Sequence, residues 1–86
     1  MDWNSLKVFL AIVRRGSLSG AANDLVVNHS TIFRRLNAFE EKIGGKLFER
    51  INNSYELTAL GHELLGLAQN IENSFDGIER HIVGKD

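Results

Sequence analysis

Between residues 17 and 53 this chain carries side chains suited to holding polar groups rather than to breaking bonds. Ser17, Ser19, Ser30 and Thr31 supply hydroxyls, and Asn28 and Asn53 supply amides. His29 adds an imidazole, and Arg34, Arg35 and Arg50 add guanidinium forks. His29, Ser30 and Thr31 are short or flat enough for the first turn of a helix to approach base edges. Arg34 has the reach and planar fork for a phosphate or for O6 and N7 of guanine. Ser17 and Ser19, beside the open N–H groups of a helix start, suit a phosphate. Catalytic sets are missing: there is no nucleophile–base–orienter group and no carboxylate pair in a plausible cleft. Gly44-Gly45-Lys46 lacks the spacing and the following Ser or Thr of a phosphate loop. With no cysteine, and with His29, His62 and His81 far apart, neither a metal site nor a cofactor is expected. The chemistry is binding, and an enzyme is not expected.

The elements that must position these groups follow from the apolar spacing. Leu6, Phe9, Leu10 and Val13 fall on one face of a helix from about Trp3 to Arg15, capped by Asp2 or Asn4 and ended by Gly16. Arg14 and Arg15 suit the negative end of its dipole. Ser19 is placed as the cap of a short second helix through Leu25. Ala21 and Ala22 let two helices approach closely. Val26 and Val27 make a turn, one of them plugging the core, and Asn28 caps a third helix from about His29 to Ile43.

In that third helix Ile32, Leu36, Phe39 and Ile43 form one apolar stripe. Ser30, Thr31, Arg34, Asn37, Ala38 and Glu41 cluster opposite it. Phe33 lies on one flank, and Arg35 lies on the other, where it is expected to be half-buried. The outward N-terminal turns are small, polar and basic, which suits entry into a groove N-terminus first. After it, Leu47-Phe48 and Tyr55-Glu56-Leu57 predict two short strands joined at Asn52-Asn53-Ser54. Thr58 then caps a long helix reaching Val83. Leu60, Leu64, Leu67, Ile71, Phe75, Ile78 and Ile82 mark its apolar stripe, near a heptad pattern with one stutter. A domain of this size cannot cover seven turns of such a stripe, so part of it needs a partner, most simply a second copy.

Eighty-six residues make one small domain, and the absence of proline favours unbroken helices. The net charge of −1 is unevenly spread. Residues 1–50 carry eight Lys/Arg against five acids, and residues 51–86 carry two against six. The first part can face phosphate, and the last faces something else. No apolar run approaches a membrane span, and MDWNSLKVF lacks the pattern of a signal peptide, so a soluble, cytoplasmic protein without membrane contact is expected.

These residues also carry a resemblance. Leu6, Phe9, Gly16-Ser17, Ala21-Ala22, Leu25, Leu36, Glu40, Ile43-Gly44, Leu47-Phe48, Arg50, Leu57-Thr58 and Gly61 match a known pattern over residues 3–83. The chain resembles the N-terminal DNA-binding domain and linker helix of LysR-type transcriptional regulators. The resemblance implies a winged helix-turn-helix bound to a dyad-symmetric duplex as a homodimer, with the third helix as recognition helix. It also implies a ligand-sensing C-terminal domain, outside these 86 residues, through which any small-molecule effector would act. The departures are informative. Asn28-His29-Ser30 stands where the family usually has Ser-Gln-Pro, and Phe33 stands where it usually has serine. Asn53 replaces a wing arginine, which weakens insertion of a cation into a narrow minor groove. Arg50 contacts phosphate or pairs with an acid. Phe33 touches a thymine methyl or folds against the helix flank.

The expectation is therefore a mainly α fold: a three-helix winged helix-turn-helix with a two-stranded wing over residues 1–58, then a linker and dimerisation helix over 59–86. The candidate DNA contacts are Ser17, Ser19, Asn28, His29, Ser30, Thr31, Phe33, Arg34, Arg35, Arg50 and Asn53. Leu60, Leu64, Leu67, Ile71, Phe75, Ile78 and Ile82 are the candidate dimer contacts. The alternative is a winged-helix module that binds protein rather than DNA, motivated by the net charge, the depleted wing and Phe33.

Overall fold

The computed structural model describes residues 1–84. Lys85 and Asp86, the end of the expected linker segment, lie outside the described residues. Three helices come first: α1 (Trp3–Arg15), α2 (Leu18–Leu25) and α3 (His29–Ile43). An antiparallel hairpin of β1 (Phe48–Ile51) and β2 (Ser54–Leu57) follows, then α4 (Ala59–Ile78). A wider π-helical turn over Glu79–Val83 extends α4. The fold is the expected mainly α winged helix-turn-helix.

Helix α1 is set by its ends. Asp2, not Asn4, is the cap, and its Oδ1 accepts the Ser5 N–H at 2.9 Å. That bond holds the Asp2 carboxyl below the ordinary aspartate range. Gly16 ends the helix at φ 67°, donating its N–H to the Ile12 carbonyl. The sequence assigns α1 one buried face, but Val8, Ala11 and Ile12 are buried as well as Leu6, Phe9 and Leu10. The reason is its central position: α2, α3, α4 and β2 all pack on it. Val13 is only half-buried. Ala21 and Ala22 are buried where α2 meets its neighbours, as their size allows.

Two ion pairs brace α1. Arg14 reaches Glu72 of α4 at 3.2 Å, and Arg15 reaches Asp24 of α2. Their placement at the end of the α1 dipole thus coincides with links to two other helices.

The turn between α2 and α3 divides its valines. Val26 adopts φ 55° and stands 88% exposed, whereas Val27 packs on the core. The stripe of α3 faces inward as its spacing dictates, with Ile32, Leu36 and Phe39 buried and Ile43 partly so. Gly44 closes the helix at φ 92°.

Glu40 is also buried, and its Oε2 accepts the Leu47 N–H at 2.7 Å while Lys46 stands 3.5 Å away. This carboxylate ties α3 to the start of the hairpin. Thr58 ties the other end. Its hydroxyl donates to the Lys46 carbonyl at 2.7 Å and accepts the Gly61 N–H at 3.0 Å.

The strands are longer than expected. Arg50 pairs with Tyr55 and Ile51 with Ser54, so the loop shrinks to Asn52-Asn53. Both asparagines have positive φ, 52° and 67°, as a two-residue type I′ turn requires. Ser54 belongs to the strand, not to the turn.

Helix α4 has two parts. Ala68 is buried, and Leu60, Leu64 and Leu65 pack against the core of the same chain. Beyond them α4 projects, giving the molecule a longest dimension of 47 Å against 26 and 22 Å. Leu67, Ile71, Phe75, Ile78 and Ile82 are exposed there, and Trp3 stacks on Phe75 with ring centres 5.6 Å apart. Among the described residues no helix is long and apolar enough to cross a membrane.

Candidate nucleic-acid interface

Three element ends converge on one groove. The start of α2 contributes Ser17, Leu18 and Ser19, the start of α3 contributes His29 and Phe33, and the hairpin contributes Arg50, Asn53 and Tyr55. They line a hollow of about 250 Å³.

A backbone bond explains why these ends meet. The Tyr55 N–H donates to the Gly16 carbonyl at 3.0 Å. That bond fixes β2 against the corner where α1 gives way to α2.

At that corner the expectation for the cap is corrected. Ser17, not Ser19, caps α2, with an extended backbone at φ −154° and its Oγ accepting the Gly20 N–H at 3.0 Å. The sharp bend at Gly16 lets the helix begin two residues earlier. Ser19 lies in the first turn, exposed, so both hydroxyls stay beside the α2 N-terminus. A helix N-terminus presents open N–H groups and a partial positive charge, the natural counterpart of a phosphate oxygen.

Arg50 is held by an aromatic relay. Phe9 in the core packs on Phe48 with centres 5.4 Å apart, and Phe48 meets Tyr55 edge-on at 6.0 Å. The Arg50 guanidinium lies over the Tyr55 ring at 5.2 Å. Strand alternation puts Phe48 and Arg50 on one face of the hairpin and Glu49 on the other. The alternative in which Arg50 pairs with an acid does not hold among the described residues: its partner is the ring. A stacked guanidinium keeps its N–H edges open for an anion while its flat face is stabilised by π electrons.

The remaining candidates lie along α3. Asn28 occupies the cap position, but its side chain makes no cap bond, and the Thr31 N–H that such a cap would take donates to the Asn28 carbonyl at 3.0 Å instead. The expected side-chain cap is therefore absent. His29, Ser30 and Arg34 are exposed, and Thr31 is half-buried. Arg35 is exposed rather than half-buried. Burying a guanidinium without a partner costs more than its methylenes return. Helical geometry sets Ser30 and Arg34 outward, and Thr31 and Arg35 on the flank away from the hairpin. The groove thus gathers Ser17, Ser19, His29, Phe33, Arg50 and Asn53, and leaves Asn28, Ser30, Thr31, Arg34 and Arg35 on the helix beside it.

Sequence reasoning missed Leu18 and Tyr55 in the groove and the anchoring role of Glu40. A turn placed at Asn52-Asn53 would have put Tyr55 opposite Arg50. Glu40 stands in the family pattern, but nothing in the spacing shows that its partner is a backbone N–H. The long-helix candidates also divide: Leu60 and Leu64 serve the core of their own chain, and Leu67 onward do not. Among the described residues no three of His, Cys, Asp and Glu come together as a metal site.

Comparison with known proteins places this geometry. A family model described as bacterial regulatory helix-turn-helix protein, lysR family, matches residues 3–62. The chain is 38% identical over 71 residues to the HTH-type transcriptional regulator TcbR of Pseudomonas sp. strain P51, covering 83% of this chain and 24% of that relative. It is 35% identical over 80 residues to the regulator YofA of Bacillus subtilis strain 168, covering 93% and 28%. It therefore spans about a quarter of the length of these relatives. The DNA-binding domain in the crystal structure of a CbnR_DBD–DNA complex superposes with a TM-score of 0.81 at 32% identity, covering 99% of this chain and all of that one.

Proposed function

The chain belongs to the lysR family of bacterial regulatory helix-turn-helix proteins, and from that premise we propose that it is the DNA-binding domain of a transcriptional regulator. It binds double-stranded DNA sequence-specifically in the cytoplasm, by contact rather than catalysis. Helix α3 enters the major groove with its N-terminal turns, where His29, Ser30, Thr31 and Arg34 meet base edges. Asn28 and Arg35 flank that contact. Ser17, Ser19 and the α2 N-terminus hold a phosphate, Arg50 holds the backbone, and Asn53 approaches the neighbouring minor groove.

The observation that carries the reading is the groove where a helix N-terminus, a stacked arginine and the start of α3 meet on one side of the molecule. Two copies joined through the exposed face of α4, from Leu67 to Ile82, present two such sites to a dyad-symmetric duplex. A small-molecule effector acts through a separate domain of the full regulator.

Selection from a randomised duplex pool at two salt concentrations tests the proposal. An interrupted palindrome is expected, with affinity falling steeply as salt rises. Arg34→Ala is expected to relax one base position by about 1–3 kcal/mol if it reads guanine, or to weaken all sequences alike if it holds phosphate. Absence of duplex binding even at low salt, with partner binding intact in Arg34→Ala, would favour a protein-interaction module.

A further inference from the structure

Phe33 is the exposed aromatic of α3, 51% accessible on the flank beside the outward face of Ser30, Arg34, Asn37, Ala38 and Glu41. Its ring lines both the groove beside Arg50 and a second hollow of about 610 Å³ that runs past Asn37 to Lys46. It therefore stands as a ridge between the two. The ring pairs among the described residues join Trp3 to Phe75 and Phe48 to Phe9 and Tyr55, and none includes Phe33. About half of the side chain is open to solvent, and the residue also borders a third hollow with Leu36, Asn37, Phe48 and Arg50.

We propose that Phe33 reads the 5-methyl group of a thymine. This rests on the DNA-binding reading above and deepens it. The 5-methyl lies on the major-groove edge of the pair, toward the backbone of its own strand. A ring bordering the phosphate-holding groove meets that edge when the groove is engaged. An apolar side chain is the chemical match for the one apolar feature a base pair displays in the major groove. Cytosine presents only a hydrogen there, so the contact selects thymine by covering apolar surface and needs no hydrogen bond.

Deoxyuridine isolates this contact, because it removes the methyl and keeps the base pair. Each thymine of a selected duplex is replaced in turn, and binding is measured for the wild type and Phe33→Ser. One thymine per half-site is expected whose replacement weakens the wild type about fourfold, the value of one buried methyl, and leaves Phe33→Ser unchanged. Phe33→Ala, which removes the ring and keeps a strong helical preference, is likewise expected to be indifferent to the replacement and serves if the serine variant misfolds. Equal loss in wild type and variants assigns the methyl to another side chain and overturns the inference. A selected duplex indifferent to every replacement overturns it as well. A pool that yields no selected duplex overturns the DNA reading and this inference together.

Discussion

Replacing Glu40 tests whether the hairpin is held to α3 by one buried acceptor. The side chain of Glu40 is 7% exposed and that of Lys46 is 74% exposed, at 3.5 Å. An ion pair with one partner in water contributes at most about 1 kcal/mol. The larger contribution is the 2.7 Å bond from the Leu47 N–H, on a residue with no exposed surface. A hydrogen bond to a charged group contributes about 1.5–3 kcal/mol, and an orphaned buried N–H costs about as much. Relief of carboxylate desolvation acts the other way, and can make an apolar substitute for a buried ion pair neutral. It does not do so here, because leucine cannot accept from the Leu47 N–H. Glu40→Leu is therefore expected to lose about 2–3 kcal/mol, and Glu40→Gln, which keeps an acceptor, about 1 kcal/mol. Lys46→Ala is expected to change little. Urea unfolding followed by far-UV circular dichroism, at one fixed protein concentration, gives all three values. Glu40→Leu within about 0.5 kcal/mol of wild type, the ordinary scatter of surface changes, would mean that the buried acceptor does not hold the hairpin.

The other predictions concern backbone space, strain, cross-strand charge and the projecting helix. A Cβ on Gly61 would lie 2.2 Å from the Leu47 carbonyl oxygen, which the Thr58 N–H already holds at 3.0 Å. Gly61→Ala is expected to cost about 3 kcal/mol or more in the same urea assay, because backbone must move. Val26, exposed at positive φ, is expected to gain about 0.5–1 kcal/mol on replacement by Asn, which tolerates that conformation; an unchanged unfolding midpoint would count against strain there. Glu49 faces Glu56 across the hairpin, so Glu56→Lys is expected to stabilise it by up to about 0.5 kcal/mol, read from amide exchange at the strand bonds. Ile78→Glu puts a charge on the exposed stripe of α4, and sedimentation equilibrium is expected to show a dimer weakened about tenfold or more. A monomeric wild type at high concentration would remove the basis for that dimer.

What could be read from the sequence was what local physics decides. Gly16 and Gly44 mark helix ends because the backbone there is left-handed, and Ile32, Leu36 and Phe39 reach the core because four-three spacing leaves them no other face. The burial of Val8, Ala11 and Ile12 was not legible, since it depends on how many neighbours surround α1. Serine is a good cap at either position, and the expected Ser19 gives way to Ser17 because the bend at Gly16, held by the Tyr55–Gly16 bond, starts α2 earlier. In the site, residue types named the polar groups, but only the fold separates Ser17, His29 and Arg50 in the groove from Arg34 and Arg35 beside it. The stack of Arg50 on Tyr55 waited on a register that the two asparagines decide.

Trp3 is the single tryptophan of the chain, and its ring lies on Phe75 where α1 meets the projecting half of α4. The indole is therefore an optical probe built into the joint between the winged helix-turn-helix and the projecting half of α4. A change in the angle between the two would separate the rings and hydrate the indole. Emission wavelength and quenching then follow the angle between the two parts, label-free and in a single cuvette.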